Sequence, residues 1–447
     1  MSPPNRSKQK QTLWMYVPIL AMVLLVVVFT SLILKMDNSP LAIRWQQQPP
    51  PKDLSTLYDS YIMDDDGGGG ELYNSHNDFH YNEVDDDMIN SNGPFFDQYC
   101  QMEHPEEWMN PSDDWKSRTP YFLLIGAKKA GTTTLYTWLR HHPQIVGGIK
   151  KELLYFLPNQ FDRYSEDGGK VQVSKVRQDL YRNEFPVDTT PTRHNLHAIA
   201  LEATPGYALF STLSRIPIFC SLPWVKLLMT VRDPIDRCYS NYNFYVDFQV
   251  KNRNKKKNQG LKSSQPMNRN GTVSLLWKGQ HLSFEDVVEL DLADLQKAGV
   301  IQNDISFEQF AGSPEEQEAW TKYQEMETAM DIRCMGRSLY VLQLLEWQRG
   351  LRELGRDPHS ELLVVRNEDM KHDAQSVYEE ILWWLELPPQ ELEVVPDKMV
   401  TTYRSPPMRP ETRQRLEEFV EPYNQRLYRL LGWDETKRWN SKVVKES

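Results

Sequence analysis

Residues 11–34 form a run of 24 uncharged positions, and its centre, I-L-A-M-V-L-L-V-V-V-F at 19–29, is apolar without interruption. At about 1.5 Å per residue a helix of this length spans a ~30 Å hydrocarbon core. Trp14 and Tyr16 fall where an interfacial aromatic belt belongs. The run exceeds the ~7–15 apolar residues of a cleaved signal, and no small-residue cleavage site follows it. The pattern therefore predicts a retained signal-anchor helix. Arg6, Lys8 and Lys10 precede it, and Lys35, Asp37 and Arg44 follow. That modest bias predicts a cytoplasmic tail over 1–10 and a lumenal remainder, a single-pass type II arrangement.

Beyond the span the pattern changes twice. Residues 35–118 hold a Q-Q-Q-P-P-P run, two triple aspartates (64–66 and 85–87) and four consecutive glycines. So polar a stretch cannot repay its ordering entropy and is expected to be a disordered acidic stem. From residue 119 a different rhythm begins. Short continuous apolar runs of buried-strand type occur at 121–127, 144–149, 225–231 and 362–365. Between them, 135–142 (closed by Pro143), 339–351, 377–387 and a last segment from 410 read as helices, and 285–330 as polar amphipathic helix. Trp347, Trp383 and Trp384 are expected to pack in the core or on the sheet. Strands alternating with helices predict one α/β domain, a mainly parallel sheet flanked by helices with ligand at the strands' carboxyl edge. No internal repeat is found.

Charge sharpens this division. The 447 residues hold 62 acidic and 51 basic side chains, but residues 51–118 alone carry 17 acidic against three basic, so the rest is slightly basic. Residues 248–284 contain eight basic residues and no acidic one. This insert either draws in a polyanionic ligand or is a solvated loop. A nucleic acid is excluded as its partner by the compartment. Asn270 opens an N-G-T glycosylation sequon within it. Four cysteines without a C-x-x-C pair exclude a zinc ribbon or dense disulfide scaffold, and their pairing is left open. The aspartate runs lack the calcium-loop pattern, and the ten histidines show no ligand spacing, so no metal is expected.

Two strand ends carry candidate chemistry. The strand at 121–127 runs into K-K-A-G-T-T-T at 128–134 and then a helix, which aims backbone N–H groups and a positive dipole end at an anion. Gly126 and Gly131 have Walker A spacing, but Thr132 occupies the lysine position and Lys128 and Lys129 lie inside the loop. A nucleoside triphosphatase would lack its phosphate-reaching lysine. The strand at 225–231 ends in R-D-P-I-D-R-C-Y-S at 232–240, where Asp233 suits an N-cap and Pro234 the first helical turn. Arg232 supplies a fork and Ser240 a hydroxyl for one phosphate. Each segment alone also reads as an ordinary strand-to-helix turn.

Taken in order, the two motifs resemble those of the sulfotransferase superfamily, which uses 3′-phosphoadenosine-5′-phosphosulfate (PAPS). The resemblance runs from about 121 to 433. It implies that Lys129, Ala130, Gly131, Thr132 and Thr133 bind the 5′-phosphosulfate, with Lys129 also catalytic, and that Arg232 and Ser240 bind the 3′-phosphate. K-E-L-L-Y-F at 151–156 is similar to the K-E-x-x-F-F stretch of heparan sulfate enzymes, implying Glu152 as general base; an ion pair with Lys150 or Lys151 is the plain alternative. L-E-A-T-P-G-Y at 201–207 is similar to their E-K-[ST]-P-x-Y segment, with Ala203 replacing a lysine that assists there and Leu154 standing where several relatives have histidine. Segments 338–347, 362–369 and 410–419 are most similar to N-acetylgalactosamine 4-sulfate 6-O-sulfotransferases. Arg404 falls where relatives close a loop over the nucleotide. The implied protein is a Golgi membrane enzyme with its catalytic domain at 119–435 and a tail at 436–447, acting on a glycan hydroxyl without a metal. A P-loop kinase and a catalytically silent lumenal glycan-binding protein are the rivals, and the oligomeric state is open.

Overall fold

The computed structural model describes residues 94–102, 119–158, 170–185, 198–258, 274–278, 280–302, 305–326, 333–392 and 403–439. The expected span at 11–34, most of the expected stem and Asn270 lie outside them. Among the described residues no helix is long and apolar enough to cross a membrane.

In chain order the elements used below are α1 (Pro94–Tyr99), β1 (Cys100–Met102), β2 (Pro120–Gly126), α2 (Thr132–Arg140), β3 (Ile145–Gly147), β4 (Val171–Val173), α3 (Lys175–Arg182), β5 (Ile199–Glu202), α4 (Ser211–Ser221), β6 (Lys226–Val231), α5 (Pro234–Asn258), β7 (Leu275–Trp277), β8 (Gln280–Leu282), α6 (Phe284–Ala298), α7 (Tyr340–Glu353), β9 (Leu362–Arg366), α8 (Ala374–Trp384) and α9 (Pro410–Leu431). Five strands form one sheet in the order β3-β5-β2-β6-β9, every pair parallel. In β2, Leu123 and Ile125 face a layer that includes α4 and α7, whereas Phe122 and Leu124 face α2 and α8. Burial on both faces is why the strands read as unbroken apolar runs rather than alternating ones.

The sheet places β2 and β6 side by side with Leu123 opposite Leu227. Their carboxyl ends are bonded beyond the ladder: Ala127 N–H donates to Thr230 O at 2.7 Å and Thr230 Oγ1 to Gly126 O at 3.1 Å. Both motif loops therefore leave the same edge of the sheet.

Three expectations are corrected. Pro94–Met102, placed in the stem, is folded: Phe95, Phe96 and Cys100 are buried, β1 pairs in parallel with β4, and Cys100 is bonded to Cys220 on α4. Acidic neighbours mask this short apolar segment in any average over the stem. Trp383 is 81% exposed, whereas Trp347 is fully buried and Trp384 nearly so; helical periodicity turns position 383 outward between two inward ones. The tail expected from 436 begins inside the fold, since Trp439 is buried and its N–H donates to Tyr428 Oη at 3.0 Å.

The basic insert is structured at both ends. α5 runs to Asn258, and β7 and β8 form an antiparallel pair docked on it through Gln249, which bonds Leu276 N and O at 2.8 and 2.9 Å. A second disulfide joins Cys238 on α5 to Cys334. The turn that follows Cys334 is held by the buried Asp291 carboxylate, which accepts from Tyr323 Oη at 2.7 Å and from Met335 and Gly336 N–H at 2.5 and 3.0 Å.

The Cys100–Cys220 bond closes a loop with a sequence separation of 120 residues. Replacing both cysteines by alanine should cost roughly 2–5 kcal/mol of unfolding free energy, read as a lower denaturation midpoint, because the unfolded chain regains loop entropy. An unchanged midpoint would show that β1 and its helix hold without the staple.

Candidate phosphate cradle

Gly131 ends the donor-side loop with φ +95°, a left-handed conformation that an L side chain rarely adopts. A Cβ there would also meet Asn367 Nδ2, so the conformation demands glycine and a side chain would have to displace Asn367. Lys129 also sits at positive φ, +71°. This twist ends β2 and lets α2 begin at Thr132, earlier than the apolar pattern suggested, so Thr132 and Thr133 occupy the first helical turn. First-turn N–H groups have no intrahelical acceptor and are available to an anion.

Cations gather around this turn. The Lys129 amine is pushed down from its usual range to about 8, first by burial and then by the charges of Lys128, Lys151, Arg232 and Arg237. Lys129 Nζ lies 4.6 Å from the centre of the Phe244 ring, and Lys128 Nζ lies 4.9 Å from the same ring while donating to Tyr245 Oη at 2.9 Å. Lys151 Nζ donates to Thr133 Oγ1 at 3.1 Å, to Thr132 Oγ1 at 3.4 Å and to Glu152 Oε1 at 3.2 Å. The ion pair with Lys151 is thus present, and it holds Glu152 beside the helix start.

The second loop meets the first. Asp233 caps α5, accepting from Ile235 and Asp236 N–H at 3.0 and 2.8 Å, and Pro234 opens the helix. The Asp233 backbone N–H donates to Glu368 Oε1 at 3.0 Å, and the Arg232 carbonyl accepts from Tyr340 Oη at 2.9 Å, which fixes the strand end that presents Arg232. Arg237 is fully buried and donates to the Lys128 carbonyl at 3.2 Å, tying α5 directly to the donor loop. Ser240 is buried on the same helix. Phe244 follows it by four residues, on the same helical face, and carries the Lys129 amine over its ring; the Ser240 face therefore fronts the loop.

Of the sequence candidates, Lys129, Thr132, Thr133, Arg232 and, through Lys151, Glu152 come together, with Ala130 buried and Gly131 shaping the turn. Arg404 stands apart. It pairs with Asp247 at 3.2 Å with its side chain half exposed, while Ser405 donates to Asn243 Oδ1 at 2.6 Å and Tyr239 Oη donates to Pro406 O at 2.8 Å, so this segment lies along α5 from Tyr239 to Asp247. Lys151 and Arg237 were written in the quoted motifs without a role in the cradle. Only the spacing of Arg237 one turn after the cap could have marked it, since its partner is more than a hundred residues away.

A cationic turn at a helix start, fed by two adjacent parallel strands, is an arrangement of an α/β protein whose sheet edge can receive an anion. A profile of the sulfotransferase domain matches residues 119–421, and the chain belongs to that family. It is 24% identical over 359 residues to the membrane-associated sulfotransferase kil1 of Dictyostelium discoideum, covering 70% of this chain and 66% of that protein. It is 23% identical over 359 residues to carbohydrate sulfotransferase 15 of Mus musculus, covering 72% and 55%. A segment of 160 residues is 30% identical to the human bifunctional heparan sulfate N-deacetylase/N-sulfotransferase 3, covering 33% and 17%. The chain thus spans between about half and two thirds of the first two relatives.

The Lys129 amine yields a pH test. With its pKa lowered to about 8, it is charged below that pH and neutral above it in the free protein. Binding a polyanion restores the charge, so above pH 8 binding must take up a proton. Affinity for adenosine 3′,5′-bisphosphate, whose phosphates are fully ionised there, should be level up to about pH 8 in respect of this group and then fall by up to tenfold per pH unit. Calorimetric titration of Lys129→Met should lack that slope; an identical slope would remove Lys129 from the site.

Proposed function

We propose that the protein transfers a sulfuryl group from PAPS to a hydroxyl of a polyanionic glycan. The observation carrying this reading is the mutual crowding of Lys128, Lys129, Lys151, Arg232 and Arg237, drawn from both motif loops and the segment after β3 onto one sheet edge. Five cations concentrated there match a ligand bearing three anionic groups. The residues fit the nucleotide: Gly131, Thr132 and Thr133 N–H groups and Lys129 would hold the 5′-phosphosulfate, and Arg232 with Ser240 the 3′-phosphate.

The chemistry asked of the chain is modest. An acceptor oxygen forms a bond to sulfur in line with the departing 5′-phosphate oxygen, the bond from sulfur to that oxygen breaks, and the acceptor proton leaves. Lys129 neutralises the charge that grows on the bridging oxygen, and preorganised donors of this kind are worth about 3–4 kcal/mol each. Glu152 takes the acceptor proton, and Lys151, bonded to both Glu152 and Thr133, fixes their separation. Fixing the nucleotide at both ends supplies the alignment that in-line transfer needs.

The finer assignments belong to the same proposal. The basic residues up to Asn258 continue the helix that carries Ser240 and support a polyanionic acceptor, with the 6-hydroxyl of N-acetylgalactosamine 4-sulfate the first to assay. Two disulfides support a lumenal, oxidising compartment, which with the 11–34 span is read as the Golgi membrane in type II orientation.

Labelled PAPS offered with chondroitin, dermatan and heparan sulfates should give transfer to at least one of them. Lys129→Ala and Arg232→Ala should each lower turnover roughly a hundredfold or more. Glu152→Gln should keep adenosine 3′,5′-bisphosphate affinity while losing about 10²–10⁴-fold in transfer. Near-normal rates in all three variants would refute the assignment of the site, and nucleotide binding with no transfer across the panel would favour a silent glycan-binding protein.

A further inference from the structure

The end of β5 holds a buried polar cluster that the transfer chemistry does not use. Glu202 is 1% exposed, and three hydroxyls converge on its carboxylate. Tyr207 Oη donates to Oε1 at 2.6 Å, Thr204 Oγ1 donates to the same oxygen at 2.7 Å, and Tyr181 Oη from α3 donates to Oε2. Burial raises the Glu202 carboxyl from its usual range, and the three donors oppose that rise. Burial and the carboxylate together push the Tyr181 and Tyr207 phenols well above theirs, so both stay protonated donors.

Two of these hydroxyls also accept. Thr204 Oγ1 receives Leu154 N–H at 3.1 Å, and Tyr207 Oη receives Phe156 N–H at 3.2 Å. A backbone bond from Ala203 N–H to Lys151 O, 3.2 Å, completes the seam. The segment pinned in this way begins with Lys151 and Glu152 and passes through Leu154, a non-glycine residue at φ +60° that needs outside support to stay there. Glu202 itself lies opposite Leu123 on β2, the strand that delivers the donor loop.

A hydroxyl has one proton. Because the carboxylate accepts from both Thr204 and Tyr207, each turns its lone pairs outward, toward the amides of Leu154 and Phe156. An amide side chain in place of the carboxylate loses the charge and one acceptor: with its oxygen toward Thr204 and Tyr207 it holds both more weakly and its NH2 forces the Tyr181 hydroxyl to reverse, and turned over it forces both Thr204 and Tyr207 to reverse and lose their amides. Resting on the reading of Glu152 as base, we propose that Glu202 is a positioning residue: through Thr204 and Tyr207 it sets the 151–156 segment, and with it the Glu152 carboxylate, against the strand that carries the donor loop.

The test uses the full chain with Glu202→Gln, Glu152→Gln and the double variant. Turnover of Glu202→Gln should fall roughly ten- to a hundredfold, the loss expected from a small misplacement of a reacting group, with KM for PAPS within about twofold. In the Glu152→Gln background the same substitution should cost less than about twofold, since the group it positions is gone. Hydrogen exchange of the 153–157 amides should rise in Glu202→Gln while that of the 129–133 loop does not. Equal losses in both backgrounds, unchanged exchange at 153–157, or wild-type turnover would each overturn the proposal. If Glu202→Gln does not fold, Thr204→Val should reproduce its turnover and exchange defects and Thr204→Ser, which keeps the hydroxyl, should repair them; a Thr204→Ser variant as impaired as Thr204→Val would overturn it. An active Glu152→Gln enzyme refutes the base assignment instead, and the exchange result then judges the positioning by itself.

Discussion

The cradle depends on one buried guanidinium. Arg237 is fully enclosed, and its partners are neutral oxygens: Ser338 Oγ at 2.7 Å, Lys128 O at 3.2 Å and Cys334 O. Burial lowers its pKa to about 10, and it remains a cation at physiological pH. Enclosing a charge in this way costs several kcal/mol, which good hydrogen-bond geometry partly offsets. In return one planar group ties the helix bearing Ser240, the donor loop and the disulfide-linked turn into a single body. Among the described residues no carboxylate contacts it, and its charge adds to the field at Lys129.

Around that body the site is built from constraints of different reach. The loop conformation is local, set by Gly131 and by the helix start at Thr132. The alignment of the two loops is a property of the sheet, because β2 and β6 are neighbours in register. The place of Glu152 comes from farther away, through Lys151 on one side and the hydroxyl seam to β5 on the other. Ser338 joins the layers by donating to Pro234 O at 2.8 Å, in the first turn of the same helix. No single element carries the cradle, yet each of its parts is anchored to the parallel sheet.

What the sequence disclosed follows the same ordering of reach. The strands at 121–127 and 225–231 were legible because burial on both faces leaves an uninterrupted apolar run, and their loops because glycine and an Asp-Pro cap leave local signatures. Element ends moved by a few residues where a left-handed turn, invisible to hydropathy, decided the boundary. Trp383 was misjudged because an apolar side chain in a helix says nothing of the direction it faces. Lys151, Arg237 and Glu202 were spelled out inside recognised motifs, but their work depends on partners up to 109 residues away. The folded segment at 94–102 was hidden by averaging: Phe95 and Cys100 meet their partners Phe219 and Cys220 more than a hundred residues away.

That same segment determines how mechanical load enters the domain. A pull applied through the chain ahead of residue 94 meets α1 and then Cys100, the first residue of β1, with its covalent bond to Cys220. Tension is thereby passed sideways into α4 and the layer it packs with, and not along the backbone into β2. The strand that shapes the donor loop is strain-relieved by a clamp located upstream of it.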